Sequence, residues 1–193
     1  MTFSICVFCG SSYGDDARFL AAAGAVGCAI ANRGWTLVYG GGRVGLMGAL
    51  ADAAMEAGGR VIGVIPRFLY EREVGHDGLT ELEIVATLTE RKVRMGDLAD
   101  AFLTLPGGIG TMDELFEALS WAQLGLEAKP NGLLNVNGYY DELIAFLERA
   151  TQSGFIKAQH RGMLRVASNV EELLDGLRGV TGALTPTLSP RRR

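Results

Sequence analysis

At 193 residues the chain is one domain by length, long enough to bury roughly 70% of the surface its unfolded form exposes. Lys+Arg 18 against Asp+Glu 22 leaves a net charge of -4, and no basic run lies in the folded part, which excludes nucleic acid as a partner. No apolar run reaches membrane length and no secretory signal is read, while an odd set of cysteines (Cys6, Cys9, Cys28) without a disulfide framework points to a reducing cytoplasm.

In chain order, an apolar run Ser4–Cys9 predicts a strand, followed by a helix over Asp16–Asn32. Thr36–Tyr39 and Gly45–Ala57 repeat that pattern, and Arg60–Ile65 adds a third strand. An irregular stretch follows. The pattern then resumes with strand Glu83–Ala86, helix Leu88–Ala99, strand Ala101–Leu105 and helix Met112–Leu124. Strand Gly132–Val136, helix Tyr139–Ser153, strand Met163–Val166 and helix Val170–Leu177 close the series. Continuous apolar strands separated by helices predict a parallel sheet covered on both faces, a doubly wound, Rossmann-like α/β domain over residues 1–181. Gly182 to Arg193 carries proline and glycine breaks and ends Arg191-Arg192-Arg193, the composition of a disordered tail.

The most telling stretch is Leu105-Pro106-Gly107-Gly108-Ile109-Gly110-Thr111-Met112-Asp113-Glu114, between a strand and a helix. The first amides of a helix have no intrahelical acceptor and the dipole adds partial positive charge. Glycines let a phosphate approach that bare backbone, so the loop reads as an anion cradle. The carboxylates Asp113 and Glu114 come directly after it. They are ordinary at a helix start, but beside a phosphate they would repel it, which suggests chemistry next to the phosphate. A second cluster, Gly40-Gly41-Gly42-Arg43-Val44-Gly45, matches the dinucleotide spacing but lacks an acid at the end of the following strand. It serves equally as a tight turn. Both loops, with Gly10-Ser11-Ser12 as a third wall, are expected to line one crevice at the carboxyl ends of the strands.

Thr87-Leu88-Thr89-Glu90 forms a capping box, which is reason enough for Glu90. In the helix it opens, Leu88, Arg91, Met95 and Leu98 fall on one stripe. An arginine in an apolar stripe is costly unless it meets an anion, which places Arg91 across the crevice from Glu114; snorkelling or a structural carboxylate is the alternative. Arg94 and Asp97 lie off the stripe as a solvated pair. Helix Met112–Leu124 is apolar nearly all round, which predicts a second subunit on its outer face. Cys6-x-x-Cys9 lacks a second ligand pair and lies in a strand, so the thiols read as core; no metal site is read.

Taken together these residues resemble the LONELY GUY family, the cytokinin riboside 5′-monophosphate phosphoribohydrolases often mislabelled lysine decarboxylases. The likeness rests on Pro106 through Glu114 in the form P-G-G-x-G-T-x-x-E. It extends to Glu90-Arg91-Lys92 and Trp121-Ala122-Gln123-Leu124-Gly125, and runs up to about Asn169. It implies a homodimeric hydrolase that cleaves the N-glycosidic bond of a nucleoside 5′-monophosphate without metal or organic cofactor. The family's catalytic arginine and glutamate fall on Arg91 and Glu114. Its substrate-binding positions fall on Glu73, Lys92, Gly107, Gly108, Ile109, Gly110, Thr111, Met112 and Asp113, with Ser120 in place of a threonine. The rival reading is a nucleotide or molybdenum-cofactor carrier or sensor on the same fold, which would keep the glycine loops but not need the Arg91–Glu114 pair. Decarboxylation is set aside because only Lys92, Lys129 and Lys157 exist, and none has a recognisable pyridoxal pocket.

Overall fold

Strands that are apolar on both sides need cover on both sides, and the computed structural model, which describes residues 2–127 and 129–180, supplies it. Seven parallel strands form one sheet in the order β4-β3-β2-β1-β5-β6-β7. They are β1 (Ser4–Phe8), β2 (Thr36–Tyr39), β3 (Arg60–Pro66), β4 (Glu81–Val85), β5 (Ala101–Thr104), β6 (Asn131–Leu134) and β7 (Leu164–Ala167). The long helices are α1 (Ala17–Asn32), α2 (Gly45–Glu56), α4 (Leu88–Asp97), α5 (Ile109–Leu124), α6 (Asp141–Gln152) and α8 (Val170–Val180). Two short ones, α3 (Arg67–Leu69) and α7 (Ala158–Arg161), were not anticipated; α3 runs into a π-turn, Tyr70–Val74, inside the irregular stretch. The segment expected to be a disordered tail, Gly182 to Arg193, lies outside the described residues.

Alternation along the strands separates the two layers. Ile5, Val7, Leu37, Tyr39, Leu103 and Leu134 point into one core with residues of α1, α2 and α8. Cys6, Phe8, Val38, Val64 and Phe102 point the other way, onto Met95 of α4 and Ala118 of α5. Both thiols of the Cys6-x-x-Cys9 pair are buried, and burial pushes them up, so they are neutral packing groups rather than nucleophiles. Strand order reverses between β1 and β5, the point where such sheets open a crevice at their carboxyl ends.

Local signals set most helix ends. The Asp16 side chain accepts from the Arg18 amide at the start of α1. The Thr87 hydroxyl accepts from Glu90 N–H while the Glu90 carboxylate accepts from Ala86 N–H, so the capping box closes one residue further back than its usual form. Helix α5 ends at Gly125, in the left-handed conformation at φ 68°, with Leu126 N–H bonded back to the Trp121 carbonyl. Its start is the exception. It begins at Ile109, three residues before the expected Met112, because the Gly108 carbonyl already accepts from Met112 N–H despite two weak helix formers in that turn.

Two expectations for α4 fail. Leu88 is 49% exposed and does not share the buried face of Met95. Arg94 is not left to Asp97: it forks onto Glu83 of β4 at 2.6 and 2.7 Å, and that hydrogen bonding holds the Glu83 carboxyl below its ordinary range. The partner sits eleven residues back across a strand, out of reach of helix periodicity.

Where the loops meet, Gly45 carries φ 62° and its Cα faces the Ser11–Ser12 peptide; a methyl there would lie 2.3 Å from the Ser11 carbonyl carbon. Gly45→Ala is therefore expected to lower stability by about 2–4 kcal/mol, from left-handed strain plus the clash. Gly34→Ala, at φ 65° but with open space around it, is expected to cost only about 1 kcal/mol. Urea midpoints at unchanged slope measure both.

Candidate active site

The three glycine-bearing loops are tied to one another at the carboxyl ends of β1, β2 and β5. Gly10 N–H donates to the Pro106 carbonyl at 3.0 Å, and Leu46 N–H donates to the Gly10 carbonyl at 3.1 Å. Tyr139 fastens the phosphate-type loop from outside, its hydroxyl donating to the Gly107 carbonyl at 2.7 Å. Between them lies a cavity of about 240 Å³, walled by Gly10 to Gly14, Phe19, Leu46, Pro106 to Gly108 and Tyr139. Gly107 is packed so closely that a methyl there would stand 2.1 Å from the Thr111 hydroxyl oxygen, whereas the space beside Gly108 and Gly110 is open. No side chain caps α5, so the amides of Ile109, Gly110 and Thr111 face outward with no helical carbonyl to bond. A bare terminus of this kind favours an anion.

One turn further along α5, Glu114 turns inward to meet Arg91 from α4. Nη2 of Arg91 lies 3.5 Å from Oε1 of Glu114, and both side chains are nearly buried, at 13% and 12% exposed. Nη2 is also seated against Gly40, where a methyl would come within 1.8 Å of it. The second glycine cluster therefore provides room for the guanidinium. Its fourth glycine, Gly45, opens α2, and none of this needs a dinucleotide. Nε of Arg91 is buried with no acceptor. Burial pushes Glu114 up to about 7; Arg91 opposes that rise and the neighbouring Asp113 adds to it. A carboxyl that exchanges its proton near neutrality, beside a fixed cation and a helix terminus, is equipped for acid–base or charge-stabilising work.

Lys92 sits beside the pair, already committed: its ammonium contacts Asp113 at 3.0 Å and Glu117 at 2.9 Å. Burial alone would lower Lys92, but hydrogen bonds to Glu117 and Asp113 hold it above its ordinary value. Of the positions carried over by resemblance, Gly107 and Gly108 line the crevice, Gly110 and Thr111 follow in the first turn of α5, and Arg91 and Glu114 meet one turn further on. Ile109, 88% exposed, and Met112, Asp113 and Ser120 line the outer side of α5 instead. Glu73 belongs to the π-turn Tyr70–Val74; its side chain lies outside the described residues. The roles of Gly40, Glu117 and Tyr139 escaped the sequence, which offers Tyr139 only as the first residue of a helix that begins at Asp141 in the structure.

Residues 47–177 match a family model described as possible lysine decarboxylase. The chain is 45% identical over 173 residues to cytokinin riboside 5′-monophosphate phosphoribohydrolase LOG1 of Arabidopsis thaliana, a match covering 90% of this chain and 81% of that protein. It is 48% identical over 170 residues to the probable cytokinin riboside 5′-monophosphate phosphoribohydrolase LOGL1 of Oryza sativa subsp. japonica, with 88% and 76% covered. The chain belongs to the LONELY GUY family. Among solved structures, this LONELY GUY protein resembles the molybdenum cofactor carrier protein of Chlamydomonas reinhardtii, with a TM-score of 0.71 and 22% identity over 94% of this chain and 99% of that one. A molybdenum cofactor binding protein from Rippkaea orientalis gives 0.71 and 23%, over 93% and 98%. At such identity the likeness is one of fold alone. The label of the matched model finds no support in the lysines: Lys92 is held by two carboxylates, Lys129 bonds Glu127 and the Gly96 carbonyl, and Lys157 is exposed at the start of α7.

Glu114 also leaves a mark on stability. Its folded value, about 7, stands above the ordinary 4.5, so the folded state binds more protons across that window and stability falls as pH rises from about 4.5 to 7. At pH 8 Glu114→Gln is expected to stabilise the fold by up to about 3 kcal/mol, and at pH 4 to change it little. Urea unfolding at the two pH values checks the sign and the window.

Proposed function

We propose that the chain hydrolyses the N-glycosidic bond of cytokinin riboside 5′-monophosphates, and of AMP with them, to free base and ribose 5-phosphate. The observation that carries this reading is the buried Arg91–Glu114 pair one helical turn below an uncapped, glycine-lined helix terminus. The terminus suits the 5′-phosphate, whose binding energy orients the rest of the nucleotide. Four helical steps lead from Gly110 to Glu114, about 6 Å along the axis, which suits a sugar carbon held next to its own phosphate.

Departure of the base leaves oxocarbenium character on the ribose. The Glu114 carboxylate then stabilises that charge or takes a proton from the attacking water; the water oxygen bonds to the anomeric carbon and the base leaves with a proton. A guanidinium is not a proton-transfer group, so Arg91 stabilises by position. It is held by Gly40 on one side and Glu114 on the other. This reading needs neither metal nor organic cofactor. A carrier or sensor on the same fold would bind the nucleotide and stop there.

The assembly and setting belong to the same proposal. Ile109, Phe116, Leu124 and Leu126 are exposed together along α5 with Met112 and Trp121 beside them, an apolar face suited to a second copy in a homodimer. Ser120 would stand at that interface, near the site of one protomer or its partner. Residues 1–181 would form one hydrolase domain, working in the cytoplasm, where free buried thiols such as Cys6 and Cys9 stay reduced.

Purified protein incubated with AMP and with isopentenyladenosine monophosphate is expected to release base and ribose 5-phosphate. Glu114→Gln and Arg91→Ala should each lower kcat/KM by about 100-fold or more. The kcat/KM profile should rise with deprotonation of a group near pH 7. Nucleotide binding without release, unchanged in both variants, would instead mark a carrier or sensor. Leu124→Glu is expected to convert a dimer to a monomer in sedimentation velocity.

A further inference from the structure

The π-turn Tyr70–Val74 and the residues after it form a strap across the second glycine loop. Gly42 and Gly75 make an antiparallel bridge, Arg43 N–H donates to the Val74 carbonyl at 2.9 Å, and His76 N–H donates to the Gly41 carbonyl at 3.0 Å. Tyr70 folds back on the strap, its ring lying where a side chain at Gly75 would stand and its hydroxyl meeting Asp77 at 3.2 Å. None of these contacts ties the strap to a helix. His76 does so through its side chain. Its Nε2 lies 2.9 Å from Oδ1 of Asp52 on α2, and its Nδ1 accepts from Gly78 N–H at 3.2 Å. Because Nδ1 accepts, the ring proton resides on Nε2 and is donated to Asp52, so one tautomer and one ring orientation serve both bonds. The His76 ring is 13% exposed, unlike the strap's surface residues, and the stretch was irregular and unassigned in the sequence.

The fastening leads to the site in two steps. The strap pairs with Gly41 to Arg43, and the adjoining Gly40 is the seat of the Arg91 guanidinium. We propose that His76 is a positioning residue: through Asp52 it fixes the Tyr70–Gly78 strap on the second glycine loop, and so sets where the nucleotide lies against Arg91. The inference rests on the hydrolase reading for its kinetic form, but the latch itself can be read by binding. His76 touches no reacting atom. Loss of the latch would loosen substrate placement and leave the Glu114 chemistry in place, so its signature is in KM and not in kcat.

Four variants of the full chain test this: His76→Ala, Asp52→Ala, the double variant, and His76→Gln. The glutamine amide reaches as far as Nε2 and donates to Asp52 in its place. His76→Ala is expected to raise KM for AMP, and the Kd for AMP measured by calorimetry, by about tenfold, with kcat within about twofold and an unchanged thermal midpoint. Asp52→Ala should match it, the double variant should be no worse than either, and His76→Gln should recover most of the loss. Amide hydrogen exchange should quicken in residues 70–78 and at Arg43, whose N–H is bonded to the strap, and nowhere else. Wild-type KM and Kd in His76→Ala would overturn the proposal, as would additive losses in the double variant or a parallel fall in kcat and thermal midpoint. If the wild-type protein binds AMP without releasing base, the hydrolase reading fails while the Kd series still decides the latch.

Discussion

A guanidinium and a carboxylate 3.5 Å apart and nearly out of water constrain this molecule more than any other contact. An ionised carboxylate buried alone in that position would cost several kcal/mol, and Arg91 offsets part of that cost. The neighbourhood is built around keeping both. A glycine, Gly40, follows β2, so that the guanidinium has somewhere to lie. Lys92 holds Asp113 and Glu117 to the side, keeping two further carboxylates on the neighbouring turn of α5 occupied. Phe8 and Phe102 stack beneath, where their rings help to exclude water from the pair. The pairing is nonetheless loose for an ion pair, and burial still pushes Glu114 up to about 7. An arrangement made for stability alone would bring the groups closer or replace them with apolar ones.

The same economy separates closed from open backbone. Gly10, Gly45 and Gly107 are places where the three loops press against one another, and their lack of a side chain permits contact. Gly108 and Gly110 face open space, and there it permits approach from outside. Within a run of a few residues the chain therefore uses glycine for two opposite purposes, and only the second implies a ligand. That division, together with the uncapped start of α5, leaves open backbone at a narrower place than the motif spacing marks.

Much of this was legible in the sequence, and the failures share a cause. Strands and long helices follow from apolar runs with period 2 or 3.6, and the Arg91–Glu114 encounter followed from an arginine in an apolar stripe. The signal was sound although one member of the stripe, Leu88, turned out exposed. Arg94 was assigned to Asp97 because helix spacing reveals only i+3 and i+4 neighbours, and its true partner lies on a strand. For Lys92 the resemblance supplies a substrate-binding position but not its two carboxylate contacts, which come from a helix about twenty residues on. In each case the missing information was which element packs beside which. The strap was illegible for another reason: a π-turn and one isolated bridge have no periodicity to read.

The carrier proteins that share this fold sharpen the question of what makes it an enzyme. A glycine-lined helix terminus beside a strand-order reversal binds a phosphate whether or not anything happens afterwards, so it cannot distinguish turnover from storage. What storage does not require is a carboxyl placed one turn deeper and raised until it exchanges its proton near neutrality. Keeping Glu114 ionised in that position lowers stability as pH rises through the window in which the group would act. A side chain retained where it weakens the fold is best explained by what it does to a bound molecule. In this chain it is therefore the Glu114 carboxyl one turn below the open helix terminus, not the terminus itself, that storage would leave without a use.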